Sequence, residues 1–170
     1  MEKRKILYRE KQPMVSWVII LLLFALAGNL AVLLLLASLP QIPLWPKLLL
    51  AAVMLTLSAM IWTFRRLSIE LTDADISFGF ALLRKRLRWQ DIESVQEAPY
   101  LFSRFIGWGF RYDMRGTFGF IARSGMGVQI QTRPKGLLSR RWRYFISTDH
   151  PQTLLDIARA QIQNCRIARS

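Results

Sequence analysis

Apolar residues follow two different periods along this chain, and the change from one to the other divides it. From Met14 to Leu39, "MVSWVIILLLFALAGNLAVLLLLASL", 26 residues pass without a charge. At about 1.5 Å per residue such a helix exceeds the roughly 30 Å of a bilayer's hydrocarbon core. Trp45 to Phe64, "WPKLLLAAVMLTLSAMIWTF", predicts a second span of 20 residues with Lys47 as its single charge. Pro40 and Pro43 lie between them, and Pro46 stands in the first turn of the second. Proline ends one helix and is tolerated in the first turn of the next, so residues 13–64 predict a two-helix transmembrane hairpin, with spans at 14–39 and 45–64. Trp17, Trp45 and Trp62 fall near span ends, where indoles favour the headgroup layer. A cleavable signal would have an apolar core of only about 7–15 residues and no second span, so the pattern argues against one.

After Arg66 the period becomes two. Ile69 and Leu71 alternate with Ser68, Glu70 and Thr72; Asp73-Ala74-Asp75 makes a turn; Ile76, Phe78 and Phe80 alternate with Ser77, Gly79 and Ala81. This is the pattern of antiparallel strands with one buried face. "LLRKRLRW" predicts a third strand and "WQDIESVQEA" a fourth, with Ile92 and Val95 inward. Residues 98–116 hold a proline, three glycines and six aromatics, and predict a long loop packed against the sheet. Strands resume at "TFGFIAR", "GVQIQTR" and "RWRYFIST", with turns at Ser124-Gly125-Met126-Gly127 and Pro134-Lys135-Gly136. A helix over about 150–165 follows. Thr148 and Asp149 sit at its cap, Pro151 lies in its first turn, and Leu154, Leu155, Ala158, Ile162 and Cys165 form its apolar stripe.

Charge sets the expected orientation. The formal net charge is +13, but residues 67–170 carry 16 Lys and Arg against 9 Asp and Glu, or +7. Much of the rest flanks the spans: Lys3, Arg4, Lys5, Arg9 and Lys11 before them, and Arg65-Arg66 after. Positive flanks stay inside. The expectation is a multi-pass protein of the inner (cytoplasmic) membrane, with both termini cytoplasmic. Residues 1–12 read as a basic cytoplasmic tail and 67–170 as a cytoplasmic domain of about the size that buries its own core.

Seven short strands closed by one amphipathic helix is the element order of a pleckstrin-homology (PH) barrel. The chain resembles bacterial membrane proteins that carry a PH-like domain after a two-helix hairpin. The resemblance rests on Trp89-Gln90-Asp91-Ile92 with Val95, Gly107-Trp108-Gly109-Phe110-Arg111, Ser124-Gly125-Met126-Gly127-Val128, and Ile146-Ser147-Thr148-Asp149-His150-Pro151 before Leu154. It covers nearly the whole chain up to Gln163. It implies a membrane α-helical hairpin plus a mainly-β domain, a PH-like seven-stranded barrel or sandwich capped by a C-terminal helix. It also implies an interaction or membrane-proximal module. Eukaryotic PH domains that bind phosphoinositides commonly carry basic residues in their first strand-to-strand loop. The loop expected there, Thr72-Asp73-Ala74-Asp75, is acidic, which argues against a phosphoinositide pocket.

Candidate chemistry is sparse, and no catalytic, cofactor-binding or metal site is expected. His150, the only histidine, precedes Pro151 at a helix start, where turn formation explains it. Cys165, the only cysteine, lies on an apolar stripe and excludes an intramolecular disulfide. His, Cys and carboxylates show no metal-ligand spacing. Gly125-x-Gly127 lies between strands rather than before a helix, so it reads as a hairpin turn and not as a phosphate cradle.

The residues left with a binding role are basic. Arg84, Lys85, Arg86 and Arg88 crowd one predicted hairpin; Arg133, Lys135, Arg140, Arg141 and Arg143 crowd another, interleaved with Trp142 and Tyr144; Arg104, Arg111 and Arg115 line the long loop. The two hairpin clusters are the candidate contacts for anionic lipid or for a partner. Lacking a helix-turn-helix, RRM signature or zinc finger, the chain gives no expectation of nucleic acid, nor of a small-molecule substrate. Within the spans, Gly28, Asn29, Thr56 and Ser58 are the candidate helix-packing positions, with no intramembrane carboxylate to mark a conduction path. The expected function is a non-enzymatic membrane-anchored interaction or scaffold module. Its expected partners are the bilayer and either a protein partner or a second copy, and sensing of an anionic lipid surface is the alternative.

Overall fold

In the computed structural model, residues 5–113, 116–134 and 141–167 are described. Two helices, α1 (Ser16–Ala37) and α2 (Leu44–Phe64), are long and apolar enough to cross a membrane, and their apolar windows are not buried inside the protein. They pack against each other through the short connection at 38–43. Carbonyls released at the end of α1 find donors there: Ser38 Oγ donates to the Leu35 carbonyl at 2.7 Å, and Lys47 Nζ donates to the Leu39 carbonyl at 3.2 Å. The one charge of the hairpin thus serves as a helix cap.

The N-terminal segment differs from the expected tail. Ile6–Pro13 forms a strand, β1, antiparallel to β2 (Arg66–Thr72) on the far side of the helices, in a register that pairs Gln12 with Leu67 and Pro13 with Arg66. The hairpin is therefore an insertion between two adjacent strands of one sheet. Paired strands lie about 4.8 Å apart and packed helices about 8–10 Å, so the chain must splay where one gives way to the other. Met14 N donates to the Arg65 carbonyl at 3.0 Å as the last rung, and Val15 N then turns aside to the Ala122 carbonyl at 3.0 Å.

β3 (Asp75–Gly79) and β4 (Arg84–Arg88) complete a four-stranded meander in the order β1-β2-β3-β4. Gly79 sits at φ +142°, and a Cβ there would collide with the Leu83 carbonyl, so the tight β3–β4 turn requires glycine. After a single 3-10 turn at Trp89–Asp91 comes a five-stranded sheet in the order β5-β8-β9-β7-β6. Its strands are β5 (Ile92–Pro99), β6 (Gly109–Tyr112), β7 (Thr117–Ile121), β8 (Met126–Thr132) and β9 (Arg143–Ser147). Where a long loop was expected, the chain forms a short helix, α3 (Phe102–Phe105), and β6; the β6–β7 hairpin then joins β9 in parallel. The described strands thus number nine rather than seven. Thr72-Asp73-Ala74-Asp75 connects the second and third strands, and the helical hairpin itself is the first strand-to-strand connection.

The core lies between the sheets: Leu67, Ile69, Leu71, Ile76, Phe78 and Phe80 from one, Ile92, Val128, Ile130 and Ile146 from the other. The C-terminal helix α4 (Pro151–Ile167) buries Leu154, Leu155, Ala158 and Ile162 against β5, β8 and the 3-10 turn, with Cys165 half-buried at the stripe's end. The helix opens with Leu154 N donating to the His150 carbonyl at 3.1 Å, and His150 N donates to Thr148 Oγ1. Asp149 turns its carboxylate to Arg123 at 3.0 Å rather than to the helix.

Candidate functional site

The end of the domain nearest the helices is fixed by chain direction. β1 runs toward α1, β2 away from α2, and β3 returns to the turn at 80–83, where Ala81 N donates to the Thr63 carbonyl at 3.3 Å. On the second sheet, the Val15–Ala122 bond marks the same end, beyond β7. Side chains there are apolar and turned outward: Leu82 is 67% exposed, Phe102 55% and Ile106 74%. Ile106 reaches that position through a left-handed backbone, φ +50°, that only glycine and a few polar residues adopt readily. Trp108 meets Trp17 of α1 edge-on at 5.2 Å, and Phe64 meets Phe80 at 5.1 Å. Exposed apolar loops and aromatic contacts therefore lie beside the roots of both helices.

The two basic clusters part company. Arg84, Lys85, Arg86 and Arg88 lie on β4, the edge strand of its sheet, with side chains exposed. Arg84 directly follows the apolar turn, and Arg88 lies about 13 Å further from the helices at about 3.3 Å per residue. Arg86 approaches Asp75 at 3.8 Å; among the described residues no carboxylate is within ion-pair distance of Arg84, Lys85 or Arg88. Basic residues on an edge strand also obstruct pairing with another sheet.

In the second cluster, Arg133 and Arg141 lie at the opposite end of the domain. Arg141 approaches Glu93 at 3.6 Å, and Arg143 opens β9 beside Arg104. Lys135 and Arg140, like Arg115, lie outside the described residues. Arg133 N donates to the Asp91 carbonyl at 2.8 Å, just past the 3-10 turn that follows Arg88, so the described part of the second cluster adjoins the Arg88 end of β4 and lies away from its Arg84 end.

Within the helices, Asn29 turns its Oδ1 out of contact with solvent, with no hydrogen-bond partner among the described residues. Gly28, Thr56 and Ser58 are exposed; a Cβ on Gly28 would meet nothing within 4 Å, and Thr56 Oγ1 donates to the Ala52 carbonyl of its own helix at 2.8 Å. Of the four expected packing positions, only Asn29 faces the intrachain contact.

Two polar knots escaped the sequence reading. Glu10 Oε2 accepts from Tyr8 Oη (2.7 Å) and Thr148 Oγ1 (2.6 Å), and its Oε1 accepts from Gln12 Nε2 (2.9 Å) and Asp149 N (2.8 Å). Ser147 Oγ donates to the fully buried Gln12 at 3.1 Å and accepts from Ala122 N. Burial, and then the Glu10 carboxylate, push the Tyr8 hydroxyl well above the usual phenol range. The second knot holds the β6–β7 hairpin. Buried Asp113 accepts from Arg104 Nε at 2.6 Å and Thr117 N at 2.7 Å, while Arg104 also donates to Thr117 Oγ1. Burial alone would raise the Asp113 carboxyl; the Thr117 and Arg104 donors outweigh it and hold it below its ordinary value. Both knots are satisfied structural networks.

Between the free edge of β4 and the β6–β7 hairpin the two sheets part. The groove there, about 230 Å³, is lined by Leu83, Arg84, Lys85, Phe110, Phe118, Phe120 and Tyr144. No group of three or more His, Cys, Asp or Glu that could hold a metal occurs among the described residues. Comparison of the chain with protein-family models, curated proteins and solved structures finds no match.

Proposed function

We propose that the protein is a non-enzymatic interaction module built into a bacterial inner membrane, a PH-like barrel held on the cytoplasmic face by a hairpin inserted between two strands of its own sheet. The observation that carries this reading is the insertion of two span-length helices between paired strands β1 and β2. Such a domain is fixed against the bilayer by both helix roots, with Leu82, Phe102 and Ile106 turned toward the interface. Setting aside the β6–β7 hairpin leaves four strands in one sheet, three in the other and a C-terminal helix, the element order that supports the PH-like reading. Lys11, Arg65 and Arg66 near the roots, with Arg9 and Lys5 further back along β1, favour the cytoplasmic side. Reporters fused after Ser170 and within Pro40–Pro46 test it: they report opposite sides of the membrane, and the same side for both would refute the hairpin.

A second reading, an anionic-lipid sensor, draws on the exposed β4 cluster beginning at the interfacial turn; the Arg133–Arg141 end suits a protein partner instead. Amide exchange of β4 in the full chain, reconstituted in anionic and in neutral bilayers, separates the two. Slower exchange in the anionic bilayer that fades with salt supports sensing, and identical exchange discards it.

A further inference from the structure

The groove between the sheets is continuous, through ring contacts, with the end of α2. Phe64 closes α2 and touches Phe80 at 5.1 Å; Phe80 stacks on Phe120 at 6.5 Å; Phe120 meets Phe110 at 5.1 Å; Phe110 stacks on Phe118 at 5.8 Å; Phe118 stacks on Tyr144 at 5.8 Å. Three of these rings, Phe110, Phe118 and Phe120, form the groove wall with Tyr144, and half-exposed Leu83 lines it beside the outward Leu82. The opposite rim is cationic: Lys85 Nζ lies 5.8 Å above the Tyr144 ring, and Arg84 follows Leu83.

We propose that this groove holds part of one acyl chain of an anionic phospholipid drawn from the adjoining leaflet, with its phosphate on Arg84 and Lys85. The proposal rests on the membrane-anchored reading above. Three features select this occupant. The walls are aromatic and aliphatic, which suits a hydrocarbon chain and offers few partners to a polar ligand. At about 230 Å³ the groove is smaller than the roughly 300–1,000 Å³ of pockets that enclose whole drug-sized ligands, so it fits a segment of chain whose remainder stays in the bilayer. Two exposed cations, Arg84 and Lys85, line the β4 side of the groove, where an anionic headgroup can meet them; among the described residues neither is paired with a carboxylate. A peptide strand added to the β4 edge would gain backbone hydrogen bonds, but it would have to pair along a row of four basic side chains.

The test uses the full chain in nanodiscs containing phosphatidylglycerol with a photoactivatable mid-chain diazirine, followed by peptide mapping. Labelling is expected on α1 and α2, which contact lipid in any case, and also on peptides carrying Phe110, Phe118 or Tyr144. Each Lys or Arg near a membrane surface contributes a factor of roughly five, so the double variant Arg84→Glu/Lys85→Glu predicts at least a tenfold loss of groove labelling. Helix labelling and the thermal midpoint stay unchanged. Labelled helices with an unlabelled groove overturn the proposal alone; unlabelled helices overturn the membrane reading beneath it. Equal groove labelling from phosphatidylcholine, insensitive to charge reversal, also overturns it. So does efficient disulfide pairing of Lys85→Cys between two chains, which would assign the groove to a second copy.

Discussion

Replacing Glu10 by alanine should destabilise the domain by about 2–4 kcal/mol. Each oxygen of this carboxylate accepts two hydrogen bonds, and two of the four donors, Thr148 Oγ1 and Asp149 N, come from the β9–α4 junction at the other end of the chain. A hydrogen bond to a charged acceptor contributes about 1.5–3 kcal/mol net, and a donor left unsatisfied after truncation costs about 1–3 kcal/mol. The four do not add. Tyr8 and Gln12 lie on the same strand, and Asp149 N is exposed enough to take water. The Thr148 contact and the Gln12 amide, whose residue is fully buried, dominate. At roughly 4 °C per kcal/mol for a domain of this size, the midpoint should fall by about 8–16 °C. The assay is thermal unfolding of the full chain in detergent, followed by near-UV circular dichroism. Lys11→Ala, one residue on and exposed, is the control and should stay within about 0.5 kcal/mol of the parent. If Glu10→Ala melts with Lys11→Ala, β1 is not bound into the fold by this carboxylate, and the claim that the N-terminal segment belongs to the sheet loses its main energetic support.

Asp113 should set an acid limb. Its folded pKa lies below its unfolded value of about 3.9, so its contribution is complete above that pH and is lost as pH falls through the folded value; Asp113→Asn should be less stable near neutrality and flatter in acid, checked by midpoints from pH 7 to pH 2. Gly79→Ala should cost about 1–3 kcal/mol from backbone strain alone, and more from the clash with the Leu83 carbonyl, read as a lower midpoint in the same melt. The fragment 67–170 lacks β1 and with it Glu10 and Gln12, so it should lose the sharp near-UV transition of the full chain, whereas adding residues 5–13 as a peptide should restore part of it. A double-mutant cycle of Trp17→Ala with Trp108→Ala should return a coupling of about 0.5–1.5 kcal/mol if the indoles hold α1 to the domain, and none if they do not.

The helices, the β-rich domain with its two sheets, and the C-terminal helix were legible because each buries or presents a long, uniform apolar pattern. β1 was not, for a specific reason. Its inward positions read Tyr8, Glu10, Gln12, so the half of the strand nearest the helices turns polar atoms to the interior and shows no apolar alternation. The groups that satisfy them, Ser147 and Thr148, stand more than 130 residues away in sequence. β6 was missed because four residues beginning with a glycine at φ +93° carry too little pattern to register. The groove was invisible for a related reason. Phe110 reads as part of a long loop, and Phe118, Phe120 and Tyr144 as ordinary strand aromatics; only the pairing of β6 with β7 and the parallel addition of β7 to β9 opposite the free β4 edge bring them to one wall.

Locating β1 also changes what the basic clusters can mean. A free N-terminal tail would leave the domain hanging from a single connection after Arg66, and either basic hairpin could then turn to a bilayer. With both helix roots held in paired strands, rotation about a single tether is no longer available, since any swing would break the Met14–Arg65 and Val15–Ala122 bonds and part the Trp17–Trp108 contact. One end of the domain stays beside the helices and the other stays away from them. Arg84 and Lys85 then lie at the end next to the helices, while Arg133 and Arg141 lie several strand residues beyond it. At a screening length of about 8 Å at physiological salt, a charge one strand length further out feels little of the leaflet's potential. On the membrane-anchored reading proposed above, the basic residues therefore divide by distance from the helices, with Arg84 and Lys85 at the near end of β4 and Arg88, Arg133 and Arg141 at the far end, and a lipid role has to be sought at the near end of β4.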